Sequence, residues 1–329
     1  MRVLVVGGAG YIGSHTVRRL LELGHEVTCF DNLIAGHAAA VPAGRLIVGD
    51  LADRGALDAA LRDHEIEAVM HFAAHASVPE SVRDPAIYYR NNVVGTLNLL
   101  DAMRDRGVGR IVFSSTAAVY GVPESSPISE DAPKNPINPY GFTKLAIERA
   151  LADYAAAYPI GYAVLRYFNA AGASADGSIG EDHSPESHLI PIILQAALGV
   201  RESISVTGTD YPTPDGTCIR DFIHVEDLAE AHCLVLERIV PGRGLTFNVG
   251  TGRGYSVREV IEAARRVTGR PIRSIDQPRR PGDPPALVAS SDALRRETGW
   301  TPRYPEIDAI VATAWRWHEG RPKGYDDRG

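Results

Sequence analysis

Cysteine is nearly missing from this chain: 329 residues hold only Cys29, Cys218 and Cys233, widely separated and with no C-x-x-C spacing. That set excludes a disulfide framework and a thiolate zinc site, fits a reducing compartment, and leaves each cysteine to act as a small buried hydrophobe. An excess of positive charge is missing too. With 34 basic against 41 acidic residues and a formal charge of -7, the chain has no field to hold a nucleic-acid backbone, so no nucleic-acid partner is expected. No apolar run reaches the length of a bilayer span, so no membrane is expected either. The N-terminus passes from Met1-Arg2 straight into an apolar strand without a leader-like pattern, which points to the cytoplasm. What is present is ordinary for a globular protein, 44% hydrophobic and 23% charged.

Short apolar runs alternate with longer helical patterns through the first half. Val3 to Val6, Val27 to Phe30, Leu46 to Val48, Ala68 to Phe72, Ile111 to Phe113 and Ala163 to Phe168 read as strands, with an amphipathic helix over Ser14 to Leu23 closed by Gly24. Repeated strand-helix-strand units predict an α/β, doubly wound parallel Rossmann-type sheet. After about residue 170 Gly, Pro, Asp and Ser accumulate in 171 to 187, 208 to 220 and 276 to 285, which read as loops over a site. Apolar segments between them, such as Leu189 to Leu198 and Val257 to Val267, predict a smaller α/β C-terminal lobe. The expected division is a dinucleotide domain over 1-170 and a substrate lobe over 171-329, with about 220-250, including Phe247 to Gly250, returning to the first domain.

Gly7, Gly10 and Gly13 follow the first strand and open the first helix, with Tyr11 and Ile12 between them. Glycines there let backbone amides approach a pyrophosphate at the helix N-terminus. A glycine turn alone is a weak signal, but Asp31 ends the second strand, where a carboxylate accepts from ribose hydroxyls and repels a 2'-phosphate, favouring NAD. Farther on, Tyr140 and Lys144 stand four residues apart after Pro139, so one helix face carries both. An ammonium and a positive nicotinamide ring would stabilise a phenolate whose ordinary pKa lies near 10. Thr116 ends the fifth strand in Ser114-Ser115-Thr116, where it faces the same crevice and passes a proton over a short path.

The Gly7-Gly10-Gly13 spacing resembles the extended short-chain dehydrogenases, and Arg166-Tyr167-Phe168-Asn169 with the string Gly208 to His224 resembles the UDP-glucose 4-epimerases among them, over nearly the whole chain. The resemblance implies NAD contacts from Asn32, Asp50, Leu51, Phe72, Ala73, Ala74, Asn92, Ser114, Tyr167 and Phe168. It implies a UDP-hexose held by Asn169, His188 and Leu189, with Ser205, Val206 and Thr207 along the uracil. Within Arg279-Arg280-Pro281-Gly282-Asp283, Arg280 would grip the diphosphate with Arg220, and Asp283 would lie near the ribose. Guanidinium forks suit phosphate oxygens. Leu287 would border the sugar C2 substituent. A homodimer would form through helices around Asn91 to Arg104 and Tyr140 to Ala157.

Three departures matter. Family members often carry lysine where Ala76 stands, and some carry asparagine at His188. Related 4,6-dehydratases follow the threonine with Asp and Glu, whereas Ala117 and Ala118 have no acid or base to offer. Glu181-Asp182-His183 reads as a solvated loop cluster, and no metal is expected. The reading is reversible 4-epimerisation of UDP-glucose and UDP-galactose through a transient 4-keto sugar, with weaker activity on UDP-N-acetylhexosamines. The alternatives are an epimerase of another UDP-sugar and a non-catalytic NAD-sensing protein.

Overall fold

The computed structural model describes residues 1-280 and 283-326. Pro281 and Gly282, named above in the 279-283 string, lie outside the described residues. Strands β1 (Arg2–Val6), β2 (Glu26–Asp31), β3 (Leu46–Val48), β4 (Ala68–His71), β5 (Arg110–Thr116) and β6 (Gly161–Tyr167) are separated by helices α1 (Tyr11–Glu22), α2 (Arg54–Asp63), α3 (Val78–Arg83), α4 (Pro85–Tyr88), α5 (Gly95–Arg106) and α6 (Pro139–Ala157). The second half adds β7 (Asn169–Ala171), α7 (Leu189–Ala197), β8 (Ile204–Thr207), β9 (Ile219–His224), α8 (Val225–Leu236), β10 (Gly244–Val249), β11 (Gly254–Ser256), α9 (Val257–Thr268), β12 (Ser274–Gln277), β13 (Ala286–Leu287), α10 (Asp292–Thr298) and α11 (Ile307–Gly320).

The main sheet runs β10-β6-β5-β4-β1-β2-β3, and each of its pairings is parallel. Both faces are covered, which is why its strands read as unbroken apolar runs. Val3 and Val5 point into one core with Val17, Leu20 and Leu228, while Leu4 and Val6 point into the other with Leu57, Leu99 and Leu151. Chain order reverses across β1, since β2 lies on one side of it and β4 on the other. Ligands gather in such a crevice, beyond the carboxyl ends of the strands. The expected α/β doubly wound fold is therefore the observed one.

Two small sheets make up most of the remaining strand structure. β9 joins β11, β13 and β7, and β8 pairs with β12. The segments read as loops are thus partly strand: β9 begins at Ile219, and β12 reaches Gln277. In β8, side chains alternate, so Val206 is fully buried in a core with Ile193 and Val260. Its side chain cannot line a uracil site; Ser205, which is exposed, and Thr207 lie on the other face. The three cysteines are free and buried. Among the described residues no helix is long and apolar enough to cross a membrane.

Candidate active site

A cavity of about 220 Å³ opens at the switch point, lined by Gly7, Gly10, Tyr11, Ile12, Gly13, Asp31, Asn32, Leu51, Phe72, Ala73, Ala74, Tyr140, Lys144, Tyr167 and His188. Four residues expected to touch a cofactor, Asp50, Asn92, Ser114 and Phe168, are not among those lining the cavity. Asp50 bonds the Asn32 amide at 2.8 Å. Asn92 accepts from the His75 N–H and donates to the His75 carbonyl, fixing the chain after β4. Ser114 bonds the Tyr167 hydroxyl, and Phe168 packs with Val119, Tyr120 and Leu287. Asn91, His75 and His183 also line the cavity and were not singled out as cofactor contacts. Asn91 sits in a π-helical turn over Tyr89–Val94 that turns it inward, a feature with no local sequence signature.

The glycine turn fits a diphosphate. A Cβ on Gly13 would stand 2.0 Å from the Gly7 carbonyl oxygen, and one on Gly7, whose φ is +82°, 2.5 Å from the Ala73 nitrogen, so neither position admits a side chain. Helix α1 starts at Gly10 with no side-chain cap, leaving first-turn amides for an anion in the cavity. The Asp31 carboxylate is fixed by the Ala9 and Leu33 amides at 3.0 and 2.9 Å. Burial raises its pKa, against those two bonds. A carboxylate has more acceptor positions than two, so Asp31 retains capacity for ribose hydroxyls.

On the facing wall, Asn138 caps α6 by accepting from the Gly141 amide at 2.9 Å, and Pro139 occupies the first turn. A Cβ on Gly141 would lie 2.6 Å from the Ala118 carbonyl oxygen, so α6 presses directly on the turn after β5. That contact brings Tyr140 to Thr116. Burial raises the Tyr140 hydroxyl above its ordinary value, and its hydrogen bond with Thr116 works in the opposite direction. Lys144 is 3% exposed, donates from Nζ to the Ser114 carbonyl at 2.9 Å and sits 4.8 Å over the Phe113 ring. Its Nζ is 6.0 Å from the Tyr140 ring centre. Burial pulls its pKa down to about 7, with Glu148 acting the other way. Glu148 also receives the buried Arg166 fork, which ties α6 to β6. The ammonium is thus anchored to β5 and not to the phenol.

Residues expected at the sugar nucleotide come together at β9 and β13. Their register sets Leu287 beside Arg220. Arg220 donates to Asp283 at 2.7 Å and to the Ile219 and Pro284 carbonyls. Arg280 is exposed. Arg279, unassigned above, stacks over Tyr211 at 4.2 Å and pairs with Asp210. Asn169 and Leu189 are half-buried at the starts of β7 and α7.

The loop before α7 corrects the sequence reading. Glu181 is 3% exposed and does not lie in solvent. His188 bonds it through Nδ1, His183 Nδ1 lies 3.3 Å from the same oxygen, and Glu186 adds a second carboxylate. Burial opposes charge on Glu181, yet the two imidazoles hold its pKa down to about 2. Burial opposes charge on His183 as well, but Glu181 and Glu186 push it up to about 10. Glu181 likewise raises His188.

A glycine turn with a facing tyrosine-lysine pair, at the switch point of a doubly wound sheet, defines a dinucleotide-dependent oxidoreductase-type site. The chain belongs to the NAD dependent epimerase/dehydratase family, whose pattern matches residues 3–250. It is 54% identical over 99% of its length to a UDP-glucose 4-epimerase from Halalkalibacterium halodurans, of which 98% is covered. The crystal structure of a UDP-glucose 4-epimerase from Brucella ovis in complex with NAD matches at 50% identity and a TM-score of 0.92, covering 95% of this chain and 97% of that one. One from Stenotrophomonas maltophila, with bound NAD and formylated UDP-arabinopyranose, matches at 42% identity and a TM-score of 0.94, covering 98% and 99%.

Proposed function

We propose that this chain is a UDP-glucose 4-epimerase that uses NAD and interconverts UDP-glucose and UDP-galactose through a 4-keto sugar. The carrying observation is the meeting of Tyr140, Thr116 and Lys144 opposite the glycine turn, with only alanine at 117 and 118. Bound NAD supplies the hydride acceptor and donor at the sugar C4. The chain's own groups handle the proton. Tyr140 takes it from the 4-hydroxyl and later returns it, while Thr116 orients that hydroxyl. Lys144 anchors the floor of the cleft through Ser114. Ala117 and Ala118 leave no general acid for expelling the 6-hydroxyl, which favours epimerisation over dehydration.

The relatives' NAD complexes and the fit of Gly7, Gly13 and Asp31 support the cofactor. Asn32, Leu51, Phe72, Ala73, Ala74 and Tyr167 line its cleft, and Asp50, Asn92 and Ser114 position that lining. Arg220, Arg280, Asp283, Asn169, Leu189, Ser205 and Thr207 hold the UDP-sugar, and Leu287, against Phe168, borders the C2 substituent. A leucine there leaves weaker activity on the N-acetylated pair. The substrate lobe begins near residue 171, with about 220-250, which carries α8 and β10, returned to the cofactor domain. A second copy of the chain covers exposed Tyr89, Val94 and Phe142; Leu100 and Met103 face the sheet instead. Unpaired buried cysteines suit a cytoplasmic enzyme.

The test is to give purified protein UDP-galactose and identify the product by chromatography. UDP-glucose should appear in an equilibrium mixture without accumulating NADH absorbance. No interconversion by protein that contains NAD would overturn the proposal.

A further inference from the structure

Four side chains of the loop before α7 aim donor atoms at one point. Glu181, His183, Glu186 and His188 each bring one oxygen or nitrogen, and the four atoms all lie within 4.8 Å of one another. His183 Nδ1 stands 3.3 Å from Glu181 Oε1 and 3.7 Å from Glu186 Oε2, and His188 Nδ1 stands 3.8 Å from Glu186 Oε1. Ligands about 2.1 Å from a tetrahedral centre stand about 3.4 Å apart, so these separations are close to those of a coordination shell. Only His188 and Glu181 approach more closely, through the hydrogen bond of His188 Nδ1.

His183 Nδ1 is buried and has no hydrogen-bond partner. A lone pair there faces two carboxylates, which offer it no donor. The side chains of Glu181 and Glu186 are each 3% exposed, and two buried negative charges call for a compensating cation. One divalent cation balances both and accepts the lone pairs of two neutral imidazoles. The surroundings already hold the donors in place. Glu186 Oε1 accepts from the Ser187 and His188 amides at 2.7 and 2.8 Å, which leaves Oε2 turned toward His183. The Trp317 indole holds the Glu181 carbonyl at 3.1 Å, and the Tyr325 amide holds the Asp182 carboxylate at 3.0 Å. Outer contacts of this kind orient metal ligands.

We propose that Glu181, His183, Glu186 and His188 bind one zinc ion, a structural site that staples the 181 to 188 loop and fixes the start of α7. The expectation of no metal rested on a solvated loop, and the burial of Glu181 removes that ground. Two nitrogen donors select against magnesium and calcium, which take oxygen, and a compact tetrahedral set with two imidazoles suits zinc. Four protein ligands close the shell, so the ion has no position left for water or substrate and takes no part in the sugar chemistry. Both histidines line the cleft, so the ion sets the shape of that wall.

The experiment uses full-length protein without a histidine tag, dialysed against a chelator and then against buffer with or without zinc. Elemental analysis after gel filtration should give about one zinc per chain, and Tm should rise by about 4 °C at free zinc about a hundredfold above its Kd. Magnesium should do neither. His183→Gln and Glu186→Gln, each checked for a cooperative thermal transition, should weaken zinc binding at least about tenfold. Wild-type protein that retains no zinc overturns the proposal, as does zinc held equally by wild type and both folded variants. Where a variant does not fold, wild type loaded with cobalt(II) decides: the visible bands of a tetrahedral ion support the site, and those of an octahedral ion overturn it. Each readout is taken without turnover, so the site stands or falls apart from the epimerase reading.

Discussion

Lys144→Met should cost activity and raise the stability of the cofactor-free protein. The lysine is 3% exposed, and burial lowers its pKa from the ordinary 10.5 to about 7. At about 1.4 kcal/mol per pH unit, that interval corresponds to about 5 kcal/mol. Between those two values the unfolded chain binds a proton that the folded chain has released. Stability therefore rises with pH across the window, and the full cost falls on the folded state below pH 7. Methionine matches the length of the stem without the charge, but it forfeits the bond to Ser114 and the contact over Phe113, together about 2 to 3 kcal/mol. The net gain is about 2 kcal/mol at pH 6.5. For a chain of 329 residues, with about 2.1 cal/mol/K of unfolding entropy per residue, that is a rise of about 3 °C in Tm. Thermal and urea unfolding of NAD-stripped wild type and variant at pH 6.5 and 9.5 measure it. The gain should close by the higher pH. A variant less stable at both values, or displaced equally at both, would refute the argument that the ammonium is held at a desolvation cost.

Tyr140→Phe keeps the ring that meets Tyr88 edge to face, so NAD content should persist while turnover falls at least about a hundredfold; near-normal turnover removes Tyr140 from the proton path. Leu287→Tyr adds a ring beside Phe168 and should depress the N-acetylhexosamine reaction about tenfold relative to the hexose reaction, equivalent to about 1.4 kcal/mol; equal loss on both would dismiss Leu287 as the C2 gate. Phe142→Lys charges the exposed face shared with Tyr89, and light scattering at micromolar concentration should show one chain in place of two; an unchanged dimer mass would move the interface elsewhere.

The main sheet was legible because a strand buried on both faces leaves an uninterrupted apolar string, as Val3 to Val6 does. The glycine turn and the Tyr140-Lys144 pair were legible for a related reason: each is a local spacing whose meaning survives without tertiary context. β9 reads Ile-Arg-Asp-Phe-Ile-His; its first two residues fall in the segment read as loop and the rest carries no strand signal, because its polar residues find partners only in three dimensions. Asp221 there is fully buried and accepts from Thr251, Gly252 and Ala289. Glu181 was misjudged on the same ground. Its cover comes from the far end of the chain, where the Trp317 indole donates to the Glu181 carbonyl and the Tyr325 hydroxyl bonds Gly180. Nothing in the spacing of 181 to 188 reports a lid supplied by residues 317 and 325.

In the proposed epimerase the cofactor and the sugar nucleotide would be held on different terms. On the proposed cofactor side the turn is fixed before any ligand arrives: Gly7 donates to the Phe30 carbonyl, Asp31 is locked by the Ala9 and Leu33 amides, and the uncapped first-turn amides of α1 are the donors left for a diphosphate. Such groups need no rearrangement to receive a dinucleotide, so binding there loses little to ordering. On the sugar side Arg220 already bonds Asp283 and the Pro284 carbonyl. A phosphate reaching that fork must exchange with, or be shared against, a carboxylate carried by the loop that leads into β13 and Leu287. In the proposed reading, nucleotide capture would thereby be coupled to the segment that leads into Leu287. In the proposed reading the sugar would meet Phe168 and Leu287, which pack in one cluster, a wall with little to fix one face of the ring. An enzyme that returns hydride to either face needs that inequality, since uniform tight binding of the hexose would stabilise the starting sugar as much as the transition state and oppose the turning of the ketone.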